Sequence, residues 1–358
     1  MQKLVPLLVL TLAVAVIICC CVILAVIMGH GPLDLLQTIV MGAWGSLDGA
    51  AATLGKITPL LLTGLAVALA YQVGLLNIGC EGQLTLGALA AASLAVRAAS
   101  LPAMVLTPCI LLVGALMGGF WALPVVWLRQ RRGVHEVISS LLMNYVAIYV
   151  ADYLVRGPLG DGTALARTPV IPVAAQWQPL WQGAAVDLTL APLAALLLSL
   201  AAQMWLVRTV WGYEVTATGS NALAAELAGI RVSSWQRRVF VASGMLAGLA
   251  GALEVVAIHH RFYASFSPGY GFDGITVAFL VNAAPGWLWL SSLIMATLRA
   301  SEKWLQLLVG ISPNAILMIE AVLLLVVACQ GFYRDLLWRL TAPSLSTRVS
   351  AALLDELE

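Results

Sequence analysis

Residues 103 to 128 read AMVLTPCILLVGALMGGFWALPVVWL, 26 consecutive positions without a charged side chain. About 20 apolar residues carry a helix across the hydrocarbon core of a bilayer, so this stretch can cross a membrane. Eight further uncharged or nearly uncharged segments accompany it: Val5 to Met28, Ile57 to Leu76, Leu84 to Val96, Val137 to Val155, Leu188 to Val207, Val239 to Ile258, Gly274 to Leu298 and Asn314 to Cys329. Within Gly274 to Leu298, Asn282-Ala283-Ala284-Pro285-Gly286 is a turn signal that splits the segment into two shorter passes. The reading is an all-α polytopic membrane protein with about ten transmembrane helices. Leu84 to Val96 falls short of a full crossing and is expected to be tilted, extended or re-entrant.

Composition points the same way. Of 358 residues, 61% are hydrophobic and 10% charged, where a soluble domain carries about 25% charged residues. A net charge of +1 and a pI near 7.6 leave no electrostatic footprint for nucleic acid, and no such partner is expected. Cys19, Cys20, Cys21, Cys80, Cys109 and Cys329 lie in or beside apolar runs without metal-ligand spacing, so they read as small packing residues. Lys3 precedes the uncharged Val5 to Met28, which is longer than the apolar core of a secretion signal, and no small-x-small cleavage site follows. A retained first span is expected. No phosphate-binding GxxxxGK[ST] occurs: Gly55-Lys56 is followed by Ile57, and Ala50 stands where the first glycine belongs. Any nucleotide hydrolysis must then come from another subunit, and the chain reads as a carrier, not an enzyme, with no metal or cofactor of its own.

Basic residues mark the cytoplasmic side of membrane proteins. With the N-terminus inside, Lys3, Arg129, Arg131, Arg132, Arg208, Arg231, Arg237, Arg238, Arg334, Arg339 and Arg348 fall on the inner face. Lys56, Arg97, Arg156, Arg167, Arg261, Arg299 and Lys303 are then spread singly along the outer face. Both termini are expected to be cytoplasmic. The outer loop Arg156 to Asp187, with Trp177, Trp181 and several prolines, suits an ordered cap.

Gly79-Cys80-Glu81-Gly82 and Gly271-Phe272-Asp273-Gly274 echo one another, each a carboxylate among glycines opening an apolar segment. Five spans separate them, which would put them on opposite membrane faces, as in two five-helix halves related by an inverted repeat. The halves would run over about 1–160 and 186–331 of a single membrane domain, followed by a cytoplasmic tail at 332–358.

Polar groups inside such a chain are expensive to bury and must face protein or a watery cavity. Asn77, Glu81 and Gln83, set between glycines, read either as cavity lining or as a structural turn capped by Asn77. Asp152, Glu254 and Glu320 are intramembrane acids that would contact cargo, relay protons, or lie near helix ends. Glu254 follows Gly244-x-x-x-Gly248-x-x-Gly251, a small-residue face that lets helices approach closely, and so is expected to point inward. Asn144 and Tyr145 offer an amide and a ring suited to a nucleobase, or a bridge between helices. No lysine or arginine is seen well inside an apolar segment, which argues against phosphorylated cargo.

At Leu75-Leu76-Asn77-Ile78-Gly79-Cys80-Glu81-Gly82-Gln83 the chain resembles the F-N-I-G-x-E-G-Q signature of permeases in bacterial nucleoside ABC importers, a group that also moves simple sugars and branched-chain amino acids. Thr58 to Ala66 is similar to that family's T-P-L-x-x-T-G-L-A, and Glu136-Val137-Ile138-Ser139 with Met143-Asn144-Tyr145 to its N-E-V-I-S-T and L-N-Y, His135 standing for asparagine. Gly212 to Ile230 and Gly269 to Ala278 resemble two further elements, with Thr216 in place of the family arginine and Asn282 to Gly286 replacing a basic-Asn-Asn-Pro-Leu-Gly turn. The resemblance implies an inner-membrane permease translocating nucleosides, with a cytoplasmic ABC ATPase, a second permease chain (a paralogue or itself) and an extracytoplasmic substrate-binding protein as partners. Simple sugars are the alternative cargo, and an ion-coupled secondary transporter is the other reading of the acids.

In the loop Trp211 to Arg238, Asn221 is a good N-cap, Ala222 to Ala228 favour helix, and Gly229 suits the left-handed C′ position. A two-turn helix is marginal alone and needs a surface to dock on. That surface is lipid or, as the resemblance implies, the ATPase, with Gly219, Asn221, Ala224, Ala225 and Gly229 as the coupling residues.

Overall fold

The computed structural model describes residues 31–182, 187–310 and 312–328, together with isolated positions between 11 and 26. The expected first span, Val5 to Met28, falls largely outside the described residues, and the tail 332–358 lies wholly outside them. Among the described residues the fold is helical, with two isolated antiparallel bridges, Arg167 to Tyr263 and Trp181 to Leu188.

The helices are α1 (Pro32–Trp44), α2 (Leu47–Tyr71), α3 (Cys80–Arg97), α4 (Ala103–Arg132), α5 (Glu136–Arg156), α6 (Ala191–Arg208), α7 (Val210–Ser220), α8 (Ala222–Leu227), α9 (Val232–Glu254), α10 (Tyr270–Leu280), α11 (Leu288–Trp304) and α12 (Pro313–Ala328). Among the described residues five helices are long and apolar enough to cross a membrane: α2, α4, α5, α6 and α9 with its π-helical extension to His259. A sixth follows if α10 and α11, bent by 106°, count as one broken span. The protein is therefore a multi-pass membrane protein. The bend falls at the turn expected from Asn282 to Gly286, where Asn282 and Ala283 adopt φ of 53° and 52°. The short α1 was not anticipated as an element of its own.

Local chemistry explains the boundaries. Ser46 caps α2 by accepting the Gly49 N–H at 3.0 Å. Gly133, at φ +68°, ends α4, and Arg129, Arg131 and Arg132 in its last turn complement the helix dipole. His135 then opens α5, its Nδ1 accepting the Val137 N–H at 3.3 Å. That is the capping role an asparagine would serve, so the departure from the family pattern is conservative in geometry.

At the centre, α3, α4 and α9 meet through glycine. A Cβ on Gly118 would lie 2.2 Å from the Gly244 carbonyl oxygen, one on Gly248 2.3 Å from that of Gly114, and one on Gly87 2.4 Å from that of Gly248. Backbones approach this closely only where side chains are absent. The consequence for α3 is burial along most of its length, from Cys80 to Ala95, which is why so short a helix needs no lipid-facing stripe. The loop from Gly157 to Leu190 is an ordered cap over its described residues. It binds the chain beyond α9 through Trp177 N–H to Val256 O (3.1 Å), Ile171 N–H to His260 O (2.9 Å) and Thr168 N–H to Phe262 O (2.8 Å).

Candidate functional site

The segment between α2 and α3 is held by two buried asparagines. Asn77 donates to Gln83 Oε1 (2.9 Å) and Ser243 Oγ (2.8 Å) and accepts the Gly79 N–H (3.0 Å). Ser243 passes the connection on to the Ala66 carbonyl at 2.6 Å. Asn144 reaches across from α5, donating to Ile78 O and accepting from Gly82 N–H, both at 2.8 Å. Asn77, Gln83 and Asn144 thus spend their polar atoms within the protein and brace an irregular backbone. Asn77 braces the turn without capping α3, whose N-cap is Gly79 with no side-chain cap bond. Tyr145 does not join Asn144: neighbours on a helix are about 100° apart, and Tyr145 is 52% exposed on the outer face of α5 while Asn144 is fully buried. The two do not form one grip.

Glu81 and Gly271 bring the two echoed motifs together, correcting the expectation that they lie on opposite faces. Glu81 Oε2 accepts the Gly271 N–H at 2.7 Å. The N–H groups of a first helical turn lack intrahelical acceptors, and a carboxylate there satisfies one and complements the dipole. Gly271 is obligatory for the approach, since a Cβ would lie 2.2 Å from the Glu81 nitrogen. Thr63 secures the same corner, its hydroxyl donating to the Tyr270 carbonyl at 2.9 Å. From there α10 runs back toward the end of α2, where Gln72 Nε2 donates to the Ala283 carbonyl at 2.9 Å.

Beside that corner lies a buried ionic cluster. Arg299 grips Asp273 with two bonds, Nε to Oδ2 at 2.9 Å and Nη2 to Oδ1 at 2.8 Å. Glu302 lies 3.0 Å and Glu320 2.9 Å from the same guanidinium. Arg299 is 5% exposed, so a cation lies buried in the bundle although none was expected well inside an apolar segment. A fork matched by several carboxylates is what permits such a burial. Three carboxylates occupy the guanidinium, so it is not a free cation for a phosphate. Glu320 Oε1 is buried without a hydrogen-bond partner. Lys56, half-buried on α2, donates to the Tyr270 hydroxyl at 3.4 Å and is within electrostatic reach of Glu302, Glu254, Arg299 and Asp273.

Glu254 closes the neighbourhood. It points inward as its glycine face implied, 2% exposed, with Oε2 3.3 Å from His259 Nε2. Its other oxygen, Oε1, is buried without a hydrogen-bond partner. Around the imidazole stand Tyr263, edge-on at 5.3 Å between centroids, and Phe266 at 5.2 Å, with Phe262 stacked on Phe266 at 5.1 Å. A buried carboxylate oxygen without a donor thus lies next to a histidine and a group of rings. His259, Tyr263, Phe266, Ser243 and Arg299 were not singled out in the sequence. The signal for His259 was its place within His259-His260-Arg261, directly after the apolar segment Val239 to Ile258 that contains Glu254.

The Trp211 to Arg238 loop folds as its capping residues dictate. Asn221 Oδ1 accepts the Ala224 N–H at 3.0 Å, Gly229 takes φ +84°, and Ile230 N–H returns to Ala225 O at 3.0 Å while Gly229 N–H returns to Glu226 O at 2.9 Å. These are the paired bonds of a Schellman end. Ala225 is 4% exposed, packed on its own chain, whereas Leu223 and Leu227 are 68% and 84% exposed. The outward face of α8 is therefore Leu223 with Leu227, four residues apart. Gly219, at the end of α7, abuts the Gln72 carbonyl so closely that a Cβ would lie 2.2 Å from it. Gln236 also reaches the Val73 carbonyl, at 3.4 Å, so this loop presses on the segment that leads to Asn77 and Glu81.

Comparison with known proteins agrees with this geometry. Residues 49–328 match the family described as branched-chain amino acid transport system / permease component. The glucose ABC transporter permease protein TsgB13 of Haloferax volcanii is 35% identical over 85% of this chain and 82% of its own length. The guanosine ABC transporter permease protein NupP of Bacillus subtilis is 30% identical over 89% of this chain and 92% of its own. The nucleoside ABC transporter permease protein NupB of Lactococcus lactis is 26% identical over 84% of each. The chain belongs to the branched-chain amino acid transport system / permease component family, as a permease of the nucleoside and sugar ABC importers.

Proposed function

We propose that this chain carries nucleosides into the cytoplasm as one of two permease subunits of an ABC importer. The observation that carries the reading is Glu254 Oε1, buried and without a partner beside His259, Tyr263 and Phe266. A nucleoside offers a flat base with N–H edges and a ribose with hydroxyls, which suit a carboxylate acceptor flanked by rings. In this reading Glu254 accepts from the cargo and the rings hold its face, while Asn77, Gln83, Asn144 and Glu81 shape the route by fixing the backbone. Asp273 acts through its ion pair with Arg299. The permease family argues for ATP drive over ion coupling.

The proposed topology has both termini in the cytoplasm and about ten crossings in two inverted halves, about 1–160 and 186–331. The ATPase docks on α8 through Leu223 and Leu227, with Gly219, Asn221, Ala224 and Gly229 shaping that helix; Ala225 serves its packing. A second permease chain faces α5, where Tyr145, Tyr149 and Tyr153 are 52%, 70% and 74% exposed on a helix otherwise suited to span the bilayer. Phenol hydroxyls in hydrocarbon lack partners, whereas the exposed side chains of α6 include Leu193, Leu197, Met204 and Val207, which suit lipid. A binding protein delivers cargo to the outer cap.

The second reading, a simple-sugar permease, is favoured by the similarity to a glucose permease. In vesicles holding the whole complex, ATP-driven uptake of labelled guanosine is expected to exceed that of glucose and to fall about tenfold in Glu254→Gln, the loss of one charged hydrogen bond. Glucose uptake in preference to every nucleoside tried would reverse the assignment.

A further inference from the structure

We infer that the loop holding α7 and α8 carries a second ligand site, a cavity for a phosphate-bearing anion, distinct from the cargo route. This rests on the proposed cytoplasmic orientation of that loop. The cavity, about 280 Å³, lies between the end of α8, the start of α7 and the first turns of α9, and its lining includes Trp211, Glu214, Arg231, Ser234, Trp235 and Arg238. Its volume falls just below the range of drug-sized ligand sites, about 300–1,000 Å³, and suits a phosphate group with a small body.

The chemistry of the walls selects for an anion. Arg231 and Arg238 are cations, and neither has a carboxylate within ion-pair distance among the described residues. Arg238 lies over the Trp235 ring, 5.5 Å from its centroid, which orients the guanidinium without neutralising it. The single carboxylate in the lining, Glu214, already accepts the Trp235 indole N–H at 2.5 Å. Two unpaired guanidinium groups against one engaged carboxylate leave the cavity positive, and guanidinium forks match phosphate oxygens in pairs. Trp211, 62% exposed on the rim, offers a flat face to whatever the phosphate is attached to.

Location gives such a ligand leverage. Gly229 and Ile230, which close α8, also line the cavity, so an occupant stiffens the joint between the docking helix and α9. Phosphate esters reach this place from two sources, the headgroup of an anionic phospholipid or a soluble nucleotide.

The test uses the full chain in nanodiscs, where both faces are open, so that orientation does not affect the outcome. Retention of phosphatidylglycerol, from mixed phosphatidylglycerol and phosphatidylcholine discs, is read by native mass spectrometry. Guanosine monophosphate is titrated separately in discs of phosphatidylcholine alone. Arg231→Gln/Arg238→Gln is compared with Arg237→Gln, a neighbouring charge outside the lining. An affinity loss of about tenfold or more in the double variant alone supports the site, and the anion affected identifies the source. Equal behaviour of wild type and double variant toward both anions overturns the proposal, as does an equal loss in Arg237→Gln. Orientation is checked apart from this, by adding guanosine monophosphate to one side of sealed vesicles.

Discussion

Glu81 Oε2 accepts the Gly271 N–H at 2.7 Å, joining the first turns of two helices 190 positions apart in sequence. In this contact one motif supplies the carboxylate and the other a bare backbone donor. Replacing Glu81 with leucine leaves that buried donor without an acceptor, a cost of about 1–3 kcal/mol. Unfolding of the detergent-solubilised protein should show that loss, while Glu81→Gln, which keeps an acceptor, should lose less. Equal stability of all three proteins would remove the link.

Arg299 and Asp273 yield a sharper expectation. Removing one member of a buried ion pair costs about 3–5 kcal/mol because its partner's charge is left uncompensated. Arg299→Met should therefore fail to accumulate in the membrane, and Arg299→Lys should rescue it only partly, since an ammonium cannot reproduce the two-point grip. Adding Asp273→Asn to Arg299→Met should recover some of the protein. Steady-state amounts in isolated membranes decide the matter.

For α8 the exposed positions and the buried one should separate cleanly. Leu227→Glu changes only the outward face, so it should abolish copurification of the ATPase and cargo-stimulated ATP hydrolysis in a stably inserted chain. Ala225→Glu instead puts a charge into its own chain's packing and should lower the melting temperature. Normal ATPase recovery with Leu227→Glu would exclude this face as the docking surface.

In the cap loop, hydrogen bonds from the Thr163 hydroxyl and backbone N–H, with Arg167 beside them, hold the Asp161 carboxyl down at about 2, below its ordinary 3.8. A depressed folded value means that the carboxylate supports the folded turn fully above the unfolded value, and that this support is lost as pH falls from 3.8 through about 2. At pH 4.5 hydrogen exchange over residues 158–168 should be slow in the native chain and faster in Asp161→Asn. No difference there would argue that the carboxylate does not hold the turn.

The helical class and the multi-pass character were legible because uncharged runs such as 103–128 admit one solution, and the ends of α8 because Asn221 and Gly229 announce caps through local rules. Contacts between distant segments were not. Nothing in Gly79 to Gly82 or Gly271 to Gly274 says that the two touch, because the approach depends on how α2 and α9 hold each segment. Arg299 looked peripheral for a similar reason. Its position after an apolar run suggests a helix end, and only the side chains of Asp273, Glu302 and Glu320, from elsewhere on the chain and one turn on, make it interior. Asn144 and Tyr145 misled as a pair because adjacency along a helix separates side chains that adjacency along the sequence unites.

The glycine contacts among α3, α4 and α9 have a mechanical consequence. Packing made of backbone has no rotamers to exchange, so Gly118 against Gly244 and Gly114 against Gly248 cannot slip to a second arrangement as interdigitated leucines can. These three helices therefore form a rigid centre. Any rearrangement of the bundle is expected away from them, and the 106° corner between α10 and α11, carried on the left-handed backbone of Asn282 and Ala283, is tied to α2 through the single Gln72 to Ala283 hydrogen bond.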